Sequence, residues 1–284
     1  MQQAPALSVI IPTHKRPAIL TACLEHLERQ TVANRLEVVV VSDGHDPATI
    51  EAVNGRTWKI PVRFFEIPKS QQGAARNRGT KEASGDLVLF LGDDILLAPG
   101  ACEAHLEAHA RHNNIAVLGR IDWDPTVGIT PVMRWLEKTG WQFGFDALEP
   151  HAQQRVPEDV QHRYTYASNL SLPTNVARAV PFPEGLTEYG WEDIVFGSEL
   201  KKLGVGLVYV PSARAAHRHR IELDDSLKRM CAIGKTAAIM AARDPAFDRL
   251  PKGWKLLAYR ALALLPTMRG KHAKALLDGI KATN

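Results

Sequence analysis

Five short apolar runs, separated by stretches of helical character, constrain the fold of this chain more than any other feature. They are "LSVIIPT" (7–13), "LEVVVVSDG" (36–44), "VRFFEI" (62–67), "DLVLFLGDD" (86–94) and "IAVLG" (115–119). Each is rich in β-branched or aromatic residues, and most are continuous rather than alternating. A strand that is apolar on both sides has to be covered on both faces, which is the habit of parallel sheets. The intervening segments 18–30, 46–55, 73–83 and 99–112 supply the cover as helices. The second of these starts at Asp46-Pro47, an N-cap followed by proline at the first helical position. The reading is an α/β fold: a mostly parallel sheet with helices on both faces. In such sheets ligands bind outside the carboxyl ends of the strands. The polar clusters Thr13-His14-Lys15-Arg16, Ser42-Asp43-Gly44 and Gly92-Asp93-Asp94 all fall there.

Residues 120–165 lose the alternation. They mix Trp123, Trp135, Trp141, Phe143 and Phe145 with polar residues and read as an irregular insertion. After "YASNLSLP" and "EYGWEDIVFG" a helix runs to Leu203 and stops at Gly204; "GVGLVYVP" (204–211) adds a strand, and the pattern is helical from about Glu222 onward. The expected organisation is an α/β domain over 1–220 and a helical extension over 221–284.

Composition narrows the function classes. Apolar residues make up 45% and charged residues 23% of the 284, an ordinary soluble balance. No window reaches the ~18 apolar residues of a membrane span. The N-terminal "MQQAPALSVIIPTHKRP" has no basic leader ahead of a long apolar core, so no signal peptide is expected. Three widely spaced cysteines, Cys23, Cys102 and Cys231, suggest reduced thiols and a cytoplasmic location. A net charge of +4 suits an anionic small molecule or membrane surface and requires no nucleic acid.

Several residue groups carry chemistry. Asp43 closes a buried-type strand and reads either as a turn acid or as an acceptor for a bound base or sugar. Asp93 and Asp94 end another strand; adjacent carboxylates there favour a hard divalent cation, Mn²⁺ or Mg²⁺, which shares such oxygens with phosphates. "GAARNRG" (73–79) offers Arg76, Asn77 and Arg78 near a helix start, with small residues that admit a close backbone. It matches neither a P-loop nor a G-x-G-x-x-G turn. His217 and His219 follow the last strand on alternate residues, so both rings point the same way in an extended segment. His105 and His109, four apart on a helix, read as a polar surface face rather than a metal pair. Glu192 and Asp193 in "EYGWEDIVFG" are explained by a helix start, where the macrodipole favours acids, or by a general base.

Taken together these segments resemble the family 2 glycosyltransferases, which have the GT-A fold. "SVIIPTHKRP" is similar to that family's opening strand, "VVVVSDG" to its nucleotide-binding strand, "GAARNRG" to its donor-contacting turn and helix, "FLGDD" to its metal-binding acidic region and "EYGWEDIVFG" to its catalytic acid pair. The order and spacing agree over roughly residues 7–220. The resemblance implies an inverting transfer from a nucleotide-diphosphate sugar, most often a UDP-sugar, to a saccharide or lipid-linked acceptor, as in cell-surface polysaccharide biosynthesis. It implies donor contacts from Pro12, Thr13, Arg16, Asp43, Arg76, Asn77 and Asp93. A Mn²⁺ or Mg²⁺ ion would be held by Asp94, Asp93 and His217. Asp193 would be the base, Glu192 would shape the acceptor site, and Trp191 and Tyr189 would form an acceptor platform. The family often has three acids where this chain has Gly92-Asp93-Asp94. The rival readings are an inactive nucleotide-sugar- or glycan-binding domain, against which the intact acids argue, and a nucleotidyltransferase, whose glycine- and lysine-rich first loop is replaced here by "THKRP". The basic, Trp- and Leu-bearing segment 251–284 reads either as a membrane-surface element, peripheral at the cytosolic face, or as a helical pair packed on the rest.

Overall fold

The computed structural model describes residues 4–185, 190–243 and 247–283. The chain divides into two compact units. The first comprises Met1–Val127, Gly140–Gly185 and Glu192–His219; the second comprises Gly128–Thr139, Leu186–Trp191 and Arg220–Asn284.

The first unit holds an eight-stranded sheet, among the described residues, with helices packed on it. In chain order its elements are β1 (Leu7–Thr13), α1 (Pro17–Glu28), β2 (Leu36–Asp43), α2 (Pro47–Asn54), β3 (Val62–Ile67), α3 (Gln71–Glu82), β4 (Leu87–Leu91), β5 (Ile95–Leu97), α4 (Ala101–Arg111), β6 (Ile115–Trp123), β7 (Asn169–Pro173), α6 (Thr174–Ala179), α7 (Glu192–Lys202) and β8 (Gly206–His217). The strand order is β3-β2-β1-β4-β7-β6-β8-β5. The pairs β1/β2, β2/β3, β1/β4 and β6/β8 are parallel. Every residue of β1 and β2 is buried, as continuous apolar runs require. The Asp46-Pro47 cap forms as read: the Asp46 carboxylate accepts the Thr49 amide.

Three details differ from the sequence reading. A short strand, β7, enters the sheet antiparallel between β4 and β6. The run through "GDD" is two strands, since β4 turns at residues 92–94 into β5, which pairs antiparallel with β8. The segment 120–165 is not uniformly irregular: β6 continues to Trp123, and residues 131–139 form a helix.

β6 and β8 are paired through an irregularity that fixes the site. Gly119 aligns with Val210 and Ile121 with Ala215, so β8 advances five residues while β6 advances two. Gly119 is required at this point: a Cβ would lie 2.1 Å from Asn169 Nδ2 and 2.3 Å from the Ala213 carbonyl oxygen. Beyond the irregularity His217 aligns with Trp123 on one side and with Ile95 on the other.

The second unit contains α5 (Pro131–Thr139), α8 (Leu223–Arg243), α9 (Gly253–Leu262) and α10 (Met268–Lys281). α8 and α10 pack backbone to backbone. A Cβ on Gly234 would lie 2.2 Å from the Leu276 carbonyl oxygen, and one on Gly279 would lie 2.0 Å from that of Cys231. His272, fully buried, is hydrogen-bonded to Ser226 Oγ, and its ring lies tilted against Trp135 at 4.5 Å. All three cysteines are free thiols.

Candidate active site

The acids at the end of β4 sit in a cage of cations and donors. Arg16, just before α1, reaches Asp93 Oδ1 with Nη1 and Asp94 Oδ2 with Nη2, both at 2.8 Å. Thr13, the last residue of β1, donates its hydroxyl to Asp93 Oδ2 at 2.8 Å. His217 Nε2 and His219 Nδ1 each lie 3.5 Å from Asp94 Oδ2. The irregular β6/β8 register delivers the two imidazoles, and alternate spacing on an extended segment turns both to one side. Trp123 stacks on the His217 ring at 5.1 Å and holds its plane.

The two acids have opposite electrostatics. Burial and the neighbouring Asp94 charge push the Asp93 carboxyl up to about 6, against Arg16, the Thr13 hydroxyl and His219. Burial also opposes ionisation of Asp94, but hydrogen bonds from His217 and His219, with the charges of His217 and Arg16, hold it well below the usual carboxylate range. One carboxylate is therefore firmly ionised and the other titrates near neutrality.

Asp94, His217 and His219 fit a divalent cation. Each offers one ligand atom, and these atoms lie within 4.8 Å of one another. A carboxylate with two imidazoles suits a first-row transition ion better than Mg²⁺, which keeps an oxygen shell. The site's present cation is the Arg16 guanidinium, whose Nη2 is also 3.4 Å from His219 Nδ1.

A second group forms at the start of α7. Glu192 is buried and its Oε1 accepts the Gln72 side-chain amide. Asp193 is more open, 26% exposed at its side chain against 10% for Glu192. Its Oδ2 accepts the Ala167 amide at 3.1 Å, and its Oδ1 is 3.6 Å from Arg76 Nη1. Arg76 is buried over the Phe182 ring, and its Nε and Nη1 have no hydrogen-bond partner. The chain just before β7 ties the two groups together, because the Ser168 carbonyl accepts the Gly92 amide one residue from the Asp193 contact.

The other sequence candidates are placed differently. Asp43 is engaged by the turn before α3: Oδ1 accepts the amides of Ser70 (2.6 Å) and Gln71 (3.1 Å), and Oδ2 accepts Lys69 Nζ (2.6 Å). Asn77 donates to the Phe182 carbonyl and to Glu184, and accepts the Phe182 amide. Pro12 lies within β1, paired with Val41. Trp191 belongs to the second unit, where its indole N–H donates to the Ile233 carbonyl and its ring meets Phe247 edge-on. Tyr189 lies outside the described residues. His105 and His109 are corrected: they are not a surface face. His105 is fully buried between Ser171 and Asn169, and His109 also reaches Ser171. Burial lowers both to about 4, so they are neutral near pH 7. Sequence reasoning missed Lys69, Gln72 and the Ala167 amide, which carry no local signal. It left His219 without a ligand role, although the alternate spacing with His217 pointed to one.

Comparison with known proteins bears on the fold and the family. Solved structures share the fold at low identity. A Pyrobaculum calidifontis mannosyltransferase, PcManGT, in complex with GDP-Man and Mn²⁺ superposes with TM-score 0.65 at 16% identity, covering 99% of this chain and 87% of that one. S. aureus TarS in complex with UDP-GlcNAc superposes with TM-score 0.58 at 19% identity, covering 98% and 81%. Validoxylamine A glucosyltransferase of Streptomyces hygroscopicus is 28% identical over 241 residues, covering 71% of this chain and 52% of the relative. An uncharacterized glycosyltransferase of Haemophilus influenzae is 36% identical over 112 residues, 38% of this chain and 36% of the relative. The chain thus spans about half the length, or less, of these curated relatives. The model of the family described as "Glycosyl transferase family 2" matches residues 8–163, a stretch that runs from β1 through the Asp93-Asp94 turn and over more than half of the sequence. On that match the chain belongs to glycosyl transferase family 2.

Proposed function

We propose that this chain is an inverting glycosyltransferase that moves a sugar from a nucleoside-diphosphate sugar, preferably a UDP-sugar, to an acceptor hydroxyl in the synthesis of a cell-surface glycan or lipid-linked saccharide. The observation that carries this reading is the pairing of two groups linked through residues 167–168. One is a cluster fit to hold a cation, Asp94, His217 and His219, next to Asp93; the other is a partly exposed carboxylate, Asp193, beside a buried arginine whose Nε and Nη1 have no hydrogen-bond partner.

The acceptor oxygen attacks the anomeric carbon as the bond to the diphosphate breaks. Asp193 takes the hydroxyl proton, and the diphosphate leaves with the bonding electron pair. Asp193 suits the base role better than Glu192, because it is the more exposed of the two while Glu192 is tied to Gln72. Buried polar atoms without partners are rare, and the Nε and Nη1 of Arg76 would be satisfied by oxygens of a bound donor or acceptor. Asp94, His217 and His219 would hold the divalent ion, preferably Mn²⁺; when bound, it neutralises charge developing on the leaving group. Arg16 and Thr13 orient Asp93 at the same edge.

The test is nucleotide release from a panel of UDP- and GDP-sugars with Mn²⁺. Asp193→Asn should lower the rate by about 10²–10⁴ while donor binding survives. A dead Glu192→Gln beside an active Asp193→Asn would reverse the two roles. Pyrophosphate release from a nucleoside triphosphate, with no turnover of any nucleotide-sugar, would overturn the reading altogether.

A further inference from the structure

α9 stands apart from the other described α-helices because none of its residues is buried. Its exposed side chains include large apolar ones beside Lys255 and Arg260. Of the five large hydrophobic residues that the described structure leaves exposed, two lie in α9, Trp254 at 74% and Leu257 at 64%, and two in the turn after it, Leu264 at 85% and Leu265 at 48%. Residues 254, 257, 261 and 264 recur at three- and four-residue intervals, so with Ala261 they form one stripe. The turn after α9 prolongs it, since the Leu264 and Leu265 amides bond back to Ala261 and Leu262. The turn into α10 is tight: a Cβ on Gly270 would lie 2.1 Å from the Leu265 carbonyl oxygen.

The charge along this segment has one sign. Lys252, Lys255, Arg260, Arg269 and Lys271 are exposed, and no Asp or Glu occurs between Leu250 and Leu277. A large apolar patch on a soluble protein marks an interaction surface, and here the cations choose among occupants. A second copy of this chain would bring the same cations face to face. Among the described residues no helix is long and apolar enough to cross a membrane. We propose that α9 and the turn after it dock on an anionic lipid bilayer. Trp254, Leu257 and Leu264 enter the headgroup and upper acyl region, and the flanking lysines and arginines meet lipid phosphates. The inference does not depend on the transferase reading, because the surface needs no donor to bind.

Sedimentation of the full chain with vesicles tests it. The chain should bind vesicles of phosphatidylcholine containing roughly a third phosphatidylglycerol at low salt, and pure phosphatidylcholine far less. Each basic residue near the surface contributes about fivefold to the partition coefficient, so the double variant Lys252→Gln/Lys255→Gln should lose about 25-fold. Trp254→Ser/Leu257→Ser should abolish binding. Both variants should keep the wild-type melting temperature and nucleotide release, since these side chains are in solvent. Absence of binding to the anionic vesicles, or binding undiminished in Trp254→Ser/Leu257→Ser, overturns the proposal. So does a dimer that forms without lipid and is lost in Leu264→Ser, which would assign the stripe to a second copy.

Discussion

Arg16→Met is the most informative single substitution, because Arg16 occupies the place a metal ion would contest. The change keeps the apolar stem and removes the guanidinium that bridges Asp93 and Asp94 at 2.8 Å each. Breaking a fully buried ion pair costs about 3–5 kcal/mol, and an exposed pair contributes about 0–1 kcal/mol. Arg16 is 32% exposed and its partners 7% and 14%, which places the pair between those limits. A loss of about 2 kcal/mol in the metal-free protein follows from that position. At roughly 2–4 °C per kcal/mol for a chain of this size, melting should fall by about 4–8 °C. Metal affinity should move the other way. The Nη2 atom lies 2.8 Å from Asp94 Oδ2 and 3.4 Å from His219 Nδ1, so a cation must displace or repel it. A unit charge at ~4 Å is worth up to about 4 kcal/mol near a protein surface. A side chain free to swing into water relieves most of that, leaving about 10- to 100-fold tighter Mn²⁺ binding. Calorimetric titration of Mn²⁺ into nucleotide-free protein, with melting curves at zero and saturating Mn²⁺, reads both quantities. Unchanged or weaker Mn²⁺ binding in the variant would refute the competition, and with it the placement of the metal at Asp94.

Three further outcomes are expected. Asp94→Ala should abolish Mn²⁺-dependent binding of a nucleoside diphosphate with the fold intact, and His217→Ala should weaken it less because water can replace one ligand; calorimetry distinguishes them. Asp93 carries a folded-state value of about 6 against an ordinary 3.8, so its contribution to stability is present below the lower value and is lost as pH rises through the upper one. Metal-free Asp93→Asn, permanently neutral there, should therefore gain on wild type between pH 4 and pH 7, by up to about 3 kcal/mol; parallel stability–pH curves would rule this out. Gly119→Ala forces a Cβ against Asn169 and the Ala213 carbonyl and should cost about 2–3 kcal/mol, seen as reduced melting temperature with weakened Mn²⁺ binding.

The sequence made the first half of the sheet legible because β1 to β4 are unbroken apolar runs whose burial on both faces leaves little choice of neighbour. It made the acid-tipped edge legible for the same reason, since parallel strands open their carboxyl ends together. β7 was hidden. "NLSLP" is five residues long and alternates, with Asn169 and Ser171 buried against α4 rather than facing water. That omission also explains the misreading of His105 and His109: without β7 there is nothing to bury them against. The pairings that define the site were out of reach for a different reason. Arg16 meets Asp93 across 77 positions and Gln72 meets Glu192 across 120, separations at which no local pattern survives folding. Asp43 illustrates the limit of type-based reading, because a carboxylate at a strand end serves equally to hold a turn or a ligand; its oxygens accept hydrogen bonds from residues 69–71.

The uneven β6/β8 register carries a parity rule for the lineage. Along β8 and its extension the imidazoles of His217 and His219 face Asp94, while Arg218 between them faces away to Asp124. Inserting or deleting one residue between Ala215 and His217, where β8 pairs in regular register with β5 and β6, would exchange these faces, bringing a guanidinium to the carboxylate and sending both imidazoles to the opposite side. A change of two residues would preserve the alternation. Length variation in this short stretch should therefore be tolerated in even steps and selected against in odd ones, so that a frame-preserving indel of a single codon there would act as a switch of ligand chemistry rather than a neutral loop change.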